Sequence, residues 1–378
     1  MNETTTSHSK GPAWFSVESL RVVLPAWLTA RVLVVIGFAV AQAIASEVHL
    51  THLESLHLDE GLLTWDGDWY WHVARDGYAN IPQEGLRFFP LYPLIGWLLS
   101  FPLGGSIGAA LVLAANGFAL VAAMFVRNVV ICETGDRRLA DRTVWYLSIF
   151  PSAFVFVFAY SESLFLVCAA AFFLTLRRRQ WWAAMALGAL AALTRPVGIL
   201  LVVPAAVEAA RGLRGTSVGE KVARLFAVAG PGLGLLSFLG WVGWRFGDWL
   251  LPASIQSDLR AGVQDPVSRL IEGIDQILTE SQLDAPNIAF ALLFVVLLIP
   301  AARRLPASYT AYAAVSLIIA LSAENIDSIG RYGIMAFPLM IGLAHLARDD
   351  RVNRIAMVVS GGTFVALVVM ALLGGYTP

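Results

Sequence analysis

The sequence predicts an all-α polytopic membrane protein with about ten to twelve crossings, and three observations predict it. Of 378 residues, 58% are hydrophobic and 14% charged, against roughly a quarter charged in a soluble domain. The apolar residues fall in runs that approach the ~20 residues of a bilayer span. Arginine and lysine collect in short loops between the runs, as they do on the cytoplasmic side of membrane proteins. In lipid each backbone N–H and C=O must be satisfied within the segment, so the runs are read as helices.

Taken in order, the first run is 24–45. The segment before it is polar up to Arg21, the run carries Arg31, and no small-residue cleavage site precedes the acidic stretch from Glu47. That pattern predicts a retained span behind a cytoplasmic tail, 1–21, and not a signal peptide. Runs at 107–131, 143–160, 164–176, 181–197, 198–210 and 222–244 follow. After a polar gap come 289–302, 309–321, 332–346 and 355–373, several too short for a straight crossing, which predicts kinked or broken helices. The stretch 88–103 is open to two readings, a crossing or a dip.

Four loops fix an orientation: Arg177, Arg178 and Arg179; Arg211, Arg214, Lys221 and Arg224; Arg303 and Arg304; Arg348, Arg351 and Arg354. With these cytoplasmic, the polar segments 46–88 and 245–286 and the short loop 322–331 share the outer face, where function is expected. The loop 133–142 is cytoplasmic only if 88–103 dips in without crossing. No internal repeat or linker is visible, and neither outer segment is long enough for a core of its own, so 1–378 is read as one membrane domain. The net charge of −1 offers no basic surface to nucleic acid. Cys132 and Cys168 support neither a disulfide framework nor a thiolate metal cluster. Of the histidines, only His49, His52 and His57 near Asp59 lie close enough to suggest a divalent cation, and no cofactor or metal is expected.

The candidate chemistry starts in TWDGDWYWHVARDGY, 64–78. Asp66 has two readings: a helix cap accepting backbone N–H bonds, or a general base taking a proton from an acceptor hydroxyl, work worth about 10²- to 10⁴-fold. RFFPLYP, 87–93, places two prolines at a helix entrance, and Arg87 either snorkels or meets a phosphate. Glu162, Arg195 and Arg331 sit where apolar runs meet the outer face. They either pair with one another or line a cavity for a charged ligand. Two arginine forks near one pocket suit phosphate oxygens.

In their order, these motifs resemble those of the PIG-V-like mannosyltransferases, related to GPI mannosyltransferase 2, within the polytopic GT-C glycosyltransferases. WDGDWYWHVARDGY, RFFPLYP, FPSAFVFVFAYSESLF, ALTRPVGIL and RYGIMAFPL resemble that family's landmarks from Trp65 to about Pro338. Ser161 stands where the family usually has threonine, and Trp69 where eukaryotic members tend to have histidine. The resemblance implies a GT-C-like bundle with short amphipathic helices in the first outer loop. It also implies transfer of a sugar, mannose in that family, from a polyprenyl-phosphate carrier to a lipid-linked or glycan acceptor. Asp66 is then the base, with Asp68 as supporting acid; Arg195, Arg331 and Arg87 meet the donor phosphate. Trp65, Tyr92, Tyr160, Glu162 and Tyr332 are expected to contact substrate. The partners implied are the lipid donor, the acceptor and the bilayer, in a prokaryotic cell membrane with the site outside. The rival reading is a flippase or transporter for a lipid-linked sugar, which also needs many spans and buried charge.

Overall fold

The structure, a computed structural model, describes residues 16–47, 57–259, 262, 264–279, 285–323 and 326–378. It is all-α, with no strand among the described residues. Helix α1, Val17–Glu47, is followed by α2, Asp66–Asp76, and α3, Leu91–Ser100. Then come α4, Ile107–Thr134, α5, Arg137–Ile149, α6, Glu162–Arg177, α7, Trp181–Thr194, and α8, Val202–Ala210. Helix α9 is Val218–Phe246, α10 Leu251–Leu259, α11 Pro266–Thr279 and α12 Ala285–Arg304. The chain closes with α13, Ala307–Leu321, α14, Ile329–Met335, α15, Pro338–Leu346, and α16, Asp350–Leu372.

Five helices, α1, α4, α9, α12 and α16, are long and apolar enough to cross a membrane, or six if α14 and α15, bent by 87°, count as one span. Four shorter apolar helices, Leu91–Leu103, Trp181–Thr194, Pro196–Ala210 and Ala307–Leu321, take up further runs. The chain is thus an integral, multi-pass membrane protein.

Proline decides where the runs break. The run 143–160, expected as one span, is instead the end of α5, a 3-10 segment Pro151–Phe156 and a non-helical stretch that stops short of α6. The residue before a proline is pushed out of the helical region, and Phe150 accordingly sits at φ −55°, ψ 144°. The freed carbonyls are not left bare. Arg31 Nη2 donates to Phe156 O at 3.2 Å, and Asn116 Nδ2 to Val157 O at 2.9 Å, while Arg31 Nε donates to Asn116 Oδ1. That explains an arginine inside the first span: it satisfies backbone that a helix would have satisfied itself. Helix α3 has ten residues, about 15 Å of rise, so it cannot cross; 88–103 dips and turns back at Gly104.

The basic loops meet at one end of the bundle. Arg137 pairs with Glu18, Arg142 with Asp350, and Arg177 with Glu133 and Glu208. The loop 133–142 therefore lies with the other basic loops, as a dipping α3 requires. The residues considered below gather at the opposite end.

Helices α7 and α9 pack backbone against backbone, and glycine permits it. A Cβ at Gly234 would meet Ala189 O at 2.2 Å, and one at Gly230 would meet Met185 O at 2.4 Å. Backbone cannot yield as a side-chain tip can. Gly234→Val is expected to destabilise the protein by about 1–3 kcal/mol and to lower its midpoint in a detergent thermal melt. Gly240→Val, on the same helix with nothing within 4 Å, is expected to leave the midpoint in place.

Candidate active site

The first outer segment folds so that one carboxylate is delivered inward. Trp65 occupies the N-cap of α2 at φ 58°, ψ −118°, with no side-chain cap bond. Its indole Nε1 donates to Ala371 O at 3.0 Å. Gly67 rests on Ala159, and Ala159 N donates to Leu62 O at 2.8 Å, which seats the start of α2 against the broken stretch after α5. Asp66, the first residue of α2, does not cap its own helix. Its Oδ2 accepts from Arg331 Nη1 in a short, charge-assisted contact.

Arg331 rises from α14, whose N-cap, Ser328, is left-handed at φ 71°. Its Nη1 also meets Glu162 Oε1 at 3.2 Å, its Nη2 donates to Ser328 Oγ at 2.8 Å, and its guanidinium lies 5.4 Å over the Tyr160 ring. Arg195 ends α7 in extended backbone, φ −154°, ψ 145°, because Pro196 follows. Its Nη1 reaches Glu162 Oε1 at 2.7 Å and Ser161 Oγ at 3.1 Å. Ser161 Oγ in turn pairs with Tyr70 Oη at 2.6 Å. Glu162 is fully buried, with Arg331 9% and Arg195 11% exposed. One carboxylate thus bridges two arginines, while Asp66 holds the outer side of Arg331.

These groups border a cavity of about 660 Å³. Trp65, Asp66, Asp68, Arg87, Arg195, Asp327, Arg331 and Tyr332 line it, as do Trp69, Tyr70 and Phe88, together with the apolar Pro196, Val197, Ile199, Leu200, Leu259 and Ile319. Its lining thus mixes charged and apolar side chains. The buried Nε atoms of Arg87, Arg195 and Arg331 have no hydrogen-bond partner. Three guanidinium groups, of Arg87, Arg195 and Arg331, stand with the carboxylates of Asp66 and Asp327 in the lining and that of Glu162 beneath it. Nearer the mouth Glu60 and the half-exposed Asp68 add negative charge, and Asp68 Oδ1 stands 3.6 Å from His72 Nε2.

The two aspartates are driven apart electrostatically. Burial pushes the Asp66 carboxyl up, but the charges of Arg331, Arg195 and Arg87 outweigh it and hold the group below the usual carboxylate range. Asp68 has only partial burial and weak compensation, and is raised.

Of the residues singled out in the sequence, Glu162 and Tyr160 lie beneath the cavity floor and not in its lining. Tyr92 is turned away altogether: it is fully buried, and its hydroxyl donates to Leu111 O at 2.9 Å. Sequence reasoning missed Tyr70, Ser328 and Thr377 in the lining. Tyr70 lay inside the quoted motif, whereas nothing in the sequence marks the other two. Among the described residues no group of three or more His, Cys, Asp or Glu has metal-ligand geometry; His49 and His52 lie outside them.

No protein-family model matches the chain, and no curated protein matches it. Solved structures of the Archaeoglobus fulgidus oligosaccharyltransferase do. The complex with Zn and sulfate gives a TM-score of 0.45 at 15% identity, over 91% of this chain and 53% of that one. The form tethered with an acceptor peptide containing the NVT sequon gives 0.47 at 13%, over 96% and 55%. The complex with an inhibitory peptide and a dolichol-phosphate gives 0.44 at 13%, over 96% and 56%. The chain spans about half the length of the solved chains it matches.

Two outcomes test the electrostatics. Glu162→Gln leaves two arginines buried without their shared carboxylate, and is expected to cost about 3–5 kcal/mol in a thermal or denaturant melt. Asp66, held down in the folded state, contributes stability that is present above the ordinary carboxylate pKa and lost as pH falls through the folded value. The stability difference between wild type and Asp66→Asn is therefore expected to be flat at neutral pH and to shrink only below about pH 4.

Proposed function

We propose that the protein is a glycosyltransferase of GT-C type that moves a sugar from a polyprenyl-phosphate carrier to a hydroxyl of a lipid-linked or surface glycan acceptor, with inversion. The observation that carries this reading is the mixed lining of the cavity: arginine forks and an aspartate bonded to one of them, with apolar side chains in the same cavity. A lipid phosphate needs both. Its oxygens suit Arg195 and Arg331, whose buried Nε–H groups lack acceptors, with Arg87 as a third guanidinium in the same cavity. Its prenyl chain suits Val197, Ile199, Leu200 and Ile319.

In the paired state Asp66 is a poor base because Arg331 stabilises its anion. A phosphate sharing Arg331 weakens that hold and raises the proton affinity of Asp66 toward a useful value. Asp66 then takes the acceptor hydroxyl proton as the oxygen attacks the anomeric carbon from the face opposite phosphate. The anomeric C–O bond breaks with its electrons on the leaving phosphate, where Arg195 and Arg331 stabilise the new charge. Asp68, at the mouth with its pKa raised, is the supporting acid. Trp65 and Tyr332 are assigned to substrate contact, with Glu162 and Tyr160 backing the arginines.

Two finer assignments rest on other grounds. The order of motifs shared with PIG-V-like enzymes supports mannose as the sugar. The gathering of basic loops at the far end of the bundle supports an outward-facing site in a prokaryotic cell membrane.

In membranes supplied with labelled polyprenyl-phosphate mannose, Asp66→Asn is expected to lower transfer at least about 10²-fold while donor still binds. Transfer near the wild-type rate in folded Asp66→Asn removes Asp66 as base. Arg195→Ala and Arg331→Ala are expected to weaken donor binding about tenfold or more, and unchanged affinity in both takes the arginines out of the site.

A further inference from the structure

We infer that the end of α16 and the residues after it, 371–378, are a positioning element that holds both members of the Asp66–Arg331 pair. This rests on the reading of those two side chains as the reacting base and the phosphate-binding group. Helix α16 ends in a tight reversal. Leu373 is its C-cap, Gly374 lies at φ +74°, and Gly375 N donates to Met370 O at 2.8 Å. This is a Schellman turn, whose αL position excludes side chains at little cost only for glycine. The last carbonyls of a helix have no partner within it, and here two are taken by the first outer segment. Trp65 Nε1 donates to Ala371 O and His57 N to Leu372 O, both at 3.0 Å. The His57 ring also lies against Trp65, tilted by 40° with centroids 4.3 Å apart.

Beyond the turn the chain folds back over the same region. Tyr376 is 5% exposed, Thr377 lines the cavity, and the main-chain oxygen of Pro378 accepts from Ser328 Oγ at 2.8 Å. That hydroxyl also accepts from Arg331 Nη2 at 2.8 Å, so donating to Pro378 and receiving from Arg331 fixes its orientation. Among the described residues three non-glycine positions have positive φ, and two of them are Trp65 and Ser328. Such strain persists only where surroundings over-determine it. Each strained residue stands directly ahead of the helix that carries one member of the pair, and each is bonded to this one element. Trp65 and Ser328 therefore act through Asp66 and Arg331, in addition to the substrate contact assigned to Trp65.

The test uses the full chain in nanodiscs beside a chain stopped after Gly375, with Trp65→Phe and Ser328→Ala as substitutions that keep bulk. Hydrogen exchange is followed in peptides covering 65–69 and 328–332, and kcat and donor KM are measured with polyprenyl-phosphate mannose. The stopped chain keeps Ala371 and Leu372 but loses the Pro378 acceptor, and is expected to exchange about tenfold faster in 328–332, with 65–69 and, in α6, 164–174 unchanged. Trp65→Phe is expected to loosen only 65–69 and lower kcat about tenfold at unchanged donor KM; Ser328→Ala is expected to loosen only 328–332 and raise donor KM. A stopped chain that fails to fold leaves the two substitutions to decide. Unchanged exchange of 328–332 in the stopped chain, unchanged exchange of 65–69 in Trp65→Phe, or the same kcat and KM effect from both substitutions, overturns the inference. Exchange needs no turnover, so loosened peptides in a protein that transfers no sugar support the positioning and remove the proposed reaction alone.

Discussion

The structure at this end of the molecule depends on matching the charge of Glu162, a carboxylate with no exposed surface. A fully buried carboxylate costs several kcal/mol unless its charge is matched at close range, and the match here comes from Arg195 and Arg331 on separate stretches of chain. Meeting that requirement bends the backbone around it. Pro196 forces Arg195 out of helix, Ser328 turns left-handed ahead of Arg331, and the break after α5 leaves room for Tyr160 and Ser161. Asp66 enters last, as a second anion on the outer side of Arg331. What results is a charge network with one face closed by protein and one face open to a cavity.

Much of the fold was legible because its signals are cumulative. Helices α1, α4, α9 and α16 follow apolar runs of about 20 residues, and the structure extends α1 and α9 at both ends, α4 at its C-terminal end and α16 at its N-terminal end. Hydropathy failed where one residue decides. The run 143–160 is apolar throughout, and nothing in its average reveals that Pro151 ends a helix. The run 332–346 hides its 87° bend at Phe337–Pro338 for the same reason. In the candidate site, Asp66, Arg195, Glu162 and Arg331 were visible because ionisable side chains among apolar ones need partners. The cap reading of Asp66 gave way because Trp65 takes the N-cap and the carboxylate has a stronger partner in Arg331. Tyr92 misled because an aromatic beside a motif looks the same in sequence whether it faces a cavity or a neighbouring helix. Ser328 and Thr377 were invisible: one acts through backbone conformation and a hydroxyl bridge, the other arrives by the return of the chain after α16.

Broken helices are costly in lipid, and this protein shows two ways of meeting the cost. At Phe156 and Val157 the exposed carbonyls receive donors from Arg31 and Asn116, so charge within the first span serves the backbone. At the end of α16 the carbonyls of Ala371 and Leu372 receive donors from the first polar segment, so a loop is held by a helix terminus. In both cases an unsatisfied main-chain group becomes a specific tie between distant segments, which a continuous helix could not provide.

The charged cluster also imposes an order on biosynthesis. Glu162 and Arg195 leave the ribosome close together and can neutralise each other within a single pair of neighbouring helices, whereas Arg331 follows only after six more helices have been made. A nascent chain halted anywhere before α14 therefore has its buried acid half-compensated and Asp66 without a counter-ion. Quality-control factors that sense exposed charge in the membrane would find a ready signal in such an incomplete chain, and lose it when the final segments lock in.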